Sequence, residues 1–231
     1  MIAGIVFDKD GTLFDFRASW GGWAARLLRD LSADPDEAQR LGAAIGFDTR
    51  SATFHPDSPV IAATAEDIAA DLVPHLPGWS HAALVARMNA LAEAAPMAPA
   101  VPLRPVLSDL RRRGLRLGLA TNDTEAPARA HLVAHGVDDL FDFVAGYDSG
   151  HGAKPAPGQL LAFAAATGLV PAQVVMVGDS RHDLMAGRAA GMRTVGVLTG
   201  IAGAAELAPL ADTVLPDIAA LGAWIDAGPR G

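Results

Sequence analysis

Two carboxylates, Asp8 and Asp10, stand directly after a short apolar run in "IVFDKDGTLFD". Further along, Thr121 and Asn122 follow "LRLGLA", Lys154 sits in "GAKPAP", and "VVMVGDSRHD" places Asp179 and Asp183 after another apolar run. A single aspartate at a strand end ordinarily caps a turn or a helix, and Thr or Asn does the same. Separate polar clusters behind separate apolar runs point instead to one shared site. Gathering Asp8, Asp10, Asp179 and Asp183 would set like charges against one another, at roughly 4 kcal/mol per pair about 4 Å apart for an effective dielectric near 20. Such a group requires a divalent cation. All-oxygen ligation, without His or Cys, favours magnesium over zinc. Lys154 adds an ammonium, Thr121 a hydroxyl, and the backbone around Gly11 and Thr12 offers N–H groups suited to phosphate oxygens. Magnesium, an ammonium and clustered donors together specify a phosphoryl group.

The elements that must position these residues alternate along the chain. Short apolar runs over residues 4–7, 115–120, 143–145, 174–177, 194–198 and 213–215 read as buried parallel strands. Between them lie helical patterns. Leu103, Val106, Leu107 and Leu110 fall on one face and are ended by Gly114, and further helices over 124–135, 156–167 and 182–190 end at Gly136, Gly168 and Gly191. Lys154 is expected to open the second of these. Strand and helix in this repetition predict a doubly wound, Rossmann-like α/β sheet whose ligand site lies beyond the carboxyl ends of the strands. Residues 15–97 break the pattern. Trp20, Trp23, Leu27, Leu28 and Leu31 form an amphipathic stripe, and helix starts follow at Asp34, Thr64 and Ser80. An all-helical insert is expected there, with the proline-rich run from Pro96 to Pro105 as the returning linker.

Composition narrows the function classes. The 231 residues, 51% of them hydrophobic, suffice for a large core. A net charge of −8 argues against binding nucleic acid through its phosphates. No stretch reads as a membrane span, and the lack of cysteine excludes disulfides and thiolate chemistry. A cytoplasmic enzyme is expected, with its oligomeric state open between monomer and homodimer. Only Lys9 and Lys154 among the 18 basic residues are lysine, which suggests places where a compact ammonium is wanted.

The motifs "DKDGT", "TN", the Lys before Pro155 and "GDSRHD", in that order, resemble the haloacid dehalogenase-like superfamily. The resemblance implies that residues 1–14 and 98–231 are an α/β catalytic core and that residues 15–97 are a helical cap like that of the phosphoglycolate phosphatase-like branch. It implies that Asp8 is the nucleophile, forming an aspartyl phosphate, and that Asp10 is the general acid and base. Thr121 and Lys154 would hold the transferring phosphoryl oxygens. Asp8, the backbone carbonyl of Asp10 and Asp179 would bind Mg2+, with Asp183 behind them or reaching through water, and Asn122 would touch phosphate or substrate. A magnesium-dependent phosphatase acting on a small phosphorylated metabolite is the expected function. A phosphomutase of the β-phosphoglucomutase type keeps Asp10 and stays open as an alternative. A 2-haloacid dehalogenase would lack Asp10, and a catalytically silent binding module would be expected to lose Asp8 or Asp10. Many relatives continue "TN" with Lys where this chain has Asp123. Arg50, in a loop of the insert, is expected to contact a substrate carboxylate or phosphate. Lys9, between two aspartates of an extended segment, should point away from both. His75, His81, His131 and His135 read as surface or helix-end residues. The tryptophans read as packing, with Trp20 the exception because it begins the cap.

Overall fold

The apolar runs assemble into one six-stranded sheet in a computed structural model that describes residues 1–228. The strands are β1 (Gly4–Phe7), β2 (Phe47–Asp48), β3 (Thr53–Phe54), β4 (Arg116–Ala120), β5 (Phe143–Ala145), β6 (Val174–Gly178), β7 (Arg193–Val197) and β8 (Thr213–Leu215). The helices are α1 (Phe16–Leu31), α2 (Pro35–Ala44), α3 (Ala65–Leu72), α4 (His81–Glu93), α5 (Leu103–Arg112), α6 (Glu125–Ala134), α7 (Gly158–Thr167), α8 (Arg181–Ala189), α9 (Ala204–Leu207) and α10 (Leu221–Asp226). The main sheet has the order β5-β4-β1-β6-β7-β8, and every neighbouring pair is parallel. With a crossover at each step, helices must cover both faces, so the strands can be apolar on both sides.

The alternation of side chains divides the core in two. Ile5 and Phe7 of β1, with Leu117, Leu119, Val175 and Val177, share one hydrophobic cluster with α5, α6 and α10. Val6, Ala120 and Met176 face the other way, onto Leu160, Phe163 and Ala164 of α7 and Ala186 of α8. Because β1 is central, whatever follows Phe7 is flanked by the ends of β4 and β6. The sheet order reverses at this point, which opens a crevice.

Between β1 and β4 the chain adds no strand to the main sheet. Asp15 caps α1 by accepting from the Ala18 N–H at 2.9 Å, and Trp20, Trp23, Leu27, Leu28 and Leu31 are all buried along one stripe. Asp34, Thr64 and Ser80 cap α2, α3 and α4 at the positions the sequence marks. The outgoing and returning segments lie side by side: Asp15 N–H donates to Ala98 O at 2.8 Å, and Ala100 N–H donates to Leu13 O at 2.9 Å. The insert is not wholly helical, because β2 and β3 form an antiparallel hairpin. Phe47 and Phe54 pair across it with ring centroids 4.8 Å apart, and Asp48 closes its turn through Arg50 N–H and Ser51 Oγ, each at 2.9 Å. Strands of two residues are too short to show a period of two. Among the described residues, no helix is long and apolar enough to cross a membrane.

Candidate active site

Three strands, one helix and one turn deliver the reactive residues to one crevice. Asp8 follows β1 and is fixed by its N–H, which donates to Val177 O at 2.9 Å. Thr121 follows β4 and Asp179 follows β6, while Asp183 lies in the first turn of α8. Lys154 does not open α7, which begins at Gly158; it lies in the preceding turn, and its ammonium donates to Asp8 Oδ1 at 2.5 Å and to Asp183 Oδ1 at 2.6 Å. Asp183 Oδ2 is occupied within its own capping box, accepting from Ser180 N–H at 3.1 Å and from Ser180 Oγ at 2.7 Å.

Asp179 needs close backbone approach on two sides. A Cβ on Gly11, whose φ is +82°, would lie 2.3 Å from Asp179 Oδ2, and a Cβ on Gly200 would lie 1.7 Å from the same atom. No larger residue fits at either place while this carboxylate keeps its position. Thr12 Oγ1 is 3.5 Å from Asp179 Oδ1, and Thr199 Oγ1 donates to Gly11 O at 2.6 Å.

The structure redirects two expected phosphate contacts. The Gly11 N–H donates to Phe14 O at 2.7 Å and so closes the turn after Asp10. The Asn122 carboxamide clamps the backbone of Lys154: its Oδ1 accepts from Lys154 N–H at 2.8 Å, and its Nδ2 donates to Lys154 O at 2.9 Å and to Ala62 O at 2.8 Å. Asn122 therefore ties the end of β4, the lysine turn and the insert together. Thr121 is buried, with Oγ1 accepting from Asp123 N–H at 3.1 Å. Arg50 is exposed in the β2–β3 turn and is not among the residues that line the crevice.

The charges are under tension. Burial pushes the Asp8 carboxyl up to about 7; Lys154 opposes this, while Asp183 and Asp10 add to it. Asp179 is held well above the usual carboxylate range by burial and by its neighbours Asp183 and Asp8. Burial works against the Lys154 ammonium, yet Asp183 and Asp8 keep its pKa above the ordinary lysine value. Three buried carboxylates against one ammonium leave negative charge that a divalent cation would neutralise. Asp8, Asp179 and Asp183 each offer an oxygen, all within 4.8 Å of one another. These hard oxygen donors fit magnesium.

Lys9 is the residue that sequence reasoning misplaced. Strand geometry stops at Phe7, and Leu13 N–H and Phe14 N–H both bond to Lys9 O at 3.0 Å, so the backbone turns and the expected alternation fails. The side chain is fully buried. Its ammonium lies 3.0 Å from Asp10 Oδ2, 3.0 Å from Asp123 Oδ2 and 3.2 Å from His131 Nδ1, and 4.9 Å from the centroid of the Trp20 ring. His131 is buried rather than at the surface, and its Nε2 lies 2.9 Å from Ala92 O. A carbonyl can only accept, so Nε2 carries the proton and Nδ1 accepts from Lys9. Burial, and then the Lys9 charge, lower the His131 pKa and keep it neutral. The ammonium thus makes one hydrogen bond, to His131, and two ion pairs, with Asp10 and Asp123. Burial alone would lower the Lys9 pKa, but Asp10 and Asp123 outweigh it and hold it above the ordinary value. The other Asp10 oxygen, Oδ1, accepts from Trp20 Nε1 at 2.7 Å. The only sequence signals for this network were the rarity of lysine and the Asp123 departure, since His131 lies 122 positions away from Lys9.

A cleft, partly open to solvent, joins these groups to the insert; Asp8, Asp10, Thr121, Lys154, Asp179 and Asp183 line it from the core. The sheet is of the doubly wound α/β class, with a carboxylate cluster able to hold a metal ion at the carboxyl ends of its central strands. The chain belongs to the haloacid dehalogenase-like hydrolase family, which it matches over residues 2–191. It is 31% identical over 202 residues, 85% of this chain and 81% of the relative, to a protein of Dickeya dadantii named "Probable phosphatase IndB". It is 28% identical to a phosphoglycolate phosphatase of Pseudomonas putida, over 85% of this chain and 69% of that one. Its fold matches the crystal structure of a predicted phosphoglycolate phosphatase from Haemophilus somnus, with a TM-score of 0.74, 20% identity and coverage of 97% and 98% of the two chains.

Proposed function

We propose that the chain is a magnesium-dependent phosphatase that hydrolyses a small phosphomonoester in the cytoplasm through an aspartyl phosphate on Asp8, with residues 15–97 as its cap. The observation that carries this reading is the pairing of roles in one crevice. Asp8 lies against Lys154, while Asp10, two residues on, is held by different partners, Trp20 and Lys9. Two carboxylates in separate environments can take separate tasks.

In the first step an Asp8 oxygen attacks phosphorus and the bond to the leaving oxygen breaks. Asp10 gives that oxygen its proton. In the second step water attacks the same phosphorus, Asp10 takes the water proton, and the bond to Asp8 breaks to release phosphate. The Lys154 ammonium balances charge on the transferring oxygens, and the Thr121 hydroxyl contributes a donor. Asp8, Asp179 and the Asp10 carbonyl would hold Mg2+, with Asp183 beside them, and the ion when bound supplies charge neutralisation at the phosphoryl group. Asn122 serves by fixing the turn that carries Lys154. Asp10 separates this reading from a dehalogenase, which has no leaving alkoxide to protonate.

The test is phosphate release from p-nitrophenyl phosphate with magnesium. Activity should vanish with chelator, return on adding the metal, and be absent from Asp8→Asn. Turnover that persists after exhaustive metal removal, or in Asp8→Asn, would contradict the assignment.

A further inference from the structure

The walls that the insert contributes to the cleft are apolar. The rings of Trp20 and Trp23 and the side chains of Ile61, Ile68 and Met88 line it. Both indole N–H groups are engaged, Trp20 with Asp10 at 2.7 Å and Trp23 with Met88 O at 3.3 Å, so these residues offer ring surface rather than donors. Asn89, half-buried on α4, also lines the cleft, and its carboxamide makes no hydrogen bond among the described residues.

Positive charge is placed elsewhere. Lys154 is the one lysine or arginine on the lining, and Asp8 and Asp183 hold its ammonium. Lys9 is fully buried, and Arg50 is exposed and not among the residues on the lining. Apart from His182, the other ionisable groups on the lining are the carboxylates of Asp8, Asp10, Asp123, Asp179 and Asp183.

We propose, on the basis of the phosphatase reading above, that the preferred substrate is the monophosphate of an uncharged alcohol with an aromatic or branched aliphatic body. One hydrogen-bonding group on that body would meet Asn89. A leaving group that carries a carboxylate or a second phosphate must give up its hydration against apolar walls and carboxylates, where Lys154, already held by Asp8 and Asp183, is the one lysine or arginine on the lining. An aromatic body instead gains by burial against Trp20 and Trp23. The cleft therefore disfavours phosphoglycolate, and equally a bisphosphate of the kind a mutase must hold.

The experiment compares kcat/KM for benzyl phosphate and 2-phosphoglycolate with magnesium, with p-nitrophenyl phosphate as a control. The first two are both primary alkyl esters, so leaving-group chemistry does not decide between them. Benzyl phosphate should be favoured by about 100-fold or more. Asn89→Lys, which places a cation on the lining, should raise kcat/KM for phosphoglycolate by about tenfold and narrow the ratio. A wild-type protein that turns over phosphoglycolate as well as or better than benzyl phosphate overturns the proposed substrate class, while the phosphatase reading survives. A folded Asn89→Lys protein with an unchanged ratio counts against the charge argument. If none of the three esters is hydrolysed, the phosphatase reading falls and this proposal falls with it.

Discussion

Asp10 receives a cation on one carboxylate oxygen and an indole N–H on the other, and neither partner comes from the residues that surround Asp8. Its orientation is thereby set before substrate arrives. Lys9 is a positioning residue in this scheme, because it reaches the chemistry only through Asp10. Lys9→Met would leave Asp10 and Asp123, both largely buried, without their shared cation. Breaking a buried pair from one side costs about 3–5 kcal/mol, and urea unfolding should show a loss of that order. Adding Asp123→Asn to Lys9→Met should recover part of it, because the second change removes the orphaned charge. If the two losses are simply additive, the Lys9–Asp123 pair is not energetically coupled. The same pair accounts for the Asp that follows "TN". A lysine at position 123 would place a second ammonium against Lys9.

At the scale of elements, α1 carries the link between insert and core, since Trp20 reaches Asp10 from its second turn. Trp20→Phe keeps a ring in the cleft but removes the donor. The loss of one hydrogen bond to a charged group should lower kcat about tenfold for an alkyl phosphate, and much less for p-nitrophenyl phosphate, whose leaving group needs no proton. Equal losses on both esters would show that Trp20 supports packing rather than Asp10. Much of this frame was legible in the sequence. The six main strands showed as buried apolar runs, and Asp34, Thr64 and Ser80 announced their helices through ordinary capping chemistry. The crevice was legible because its carboxylates stand at strand ends. Contacts that depend on tertiary approach were not. Nothing local marks Asn122 as a clamp on Lys154, His131 as a partner of Lys9, or Gly200 as the space for Asp179. Arg50 is the basic residue of a loop that Asp48 draws into a tight turn, and it is not among the residues that line the cleft.

For the whole molecule, the buried carboxylates make stability and metal binding depend on pH. The Asp8 pKa is raised from 3.8 to about 7 on folding. A raised folded-state value means that the metal-free protein binds this proton more tightly than the unfolded chain does. The stabilisation is complete below about pH 4 and is lost as pH rises through about 7. Asp179 acts in the same direction. Thermal melts without metal should therefore show this contribution declining between those limits, and magnesium should restore stability most above pH 7. Because the ligand must be deprotonated, apparent magnesium affinity should fall by up to about tenfold per pH unit below 7 for one competing proton. Titration calorimetry that shows a flat affinity from pH 5 to 8 would contradict the picture. The central claim is that Asp8 carries phosphate and that Asp10 moves the proton. Asp10→Asn mixed rapidly with p-nitrophenyl phosphate and magnesium tests it most directly. The nitrophenolate leaves without an acid, but the second step then lacks its base. The account predicts a burst of up to one p-nitrophenol per site, slow turnover afterwards, and phosphate retained on Asp8, with metal binding checked in parallel. With metal binding intact, the absence of both a burst and phosphate on Asp8 would contradict it.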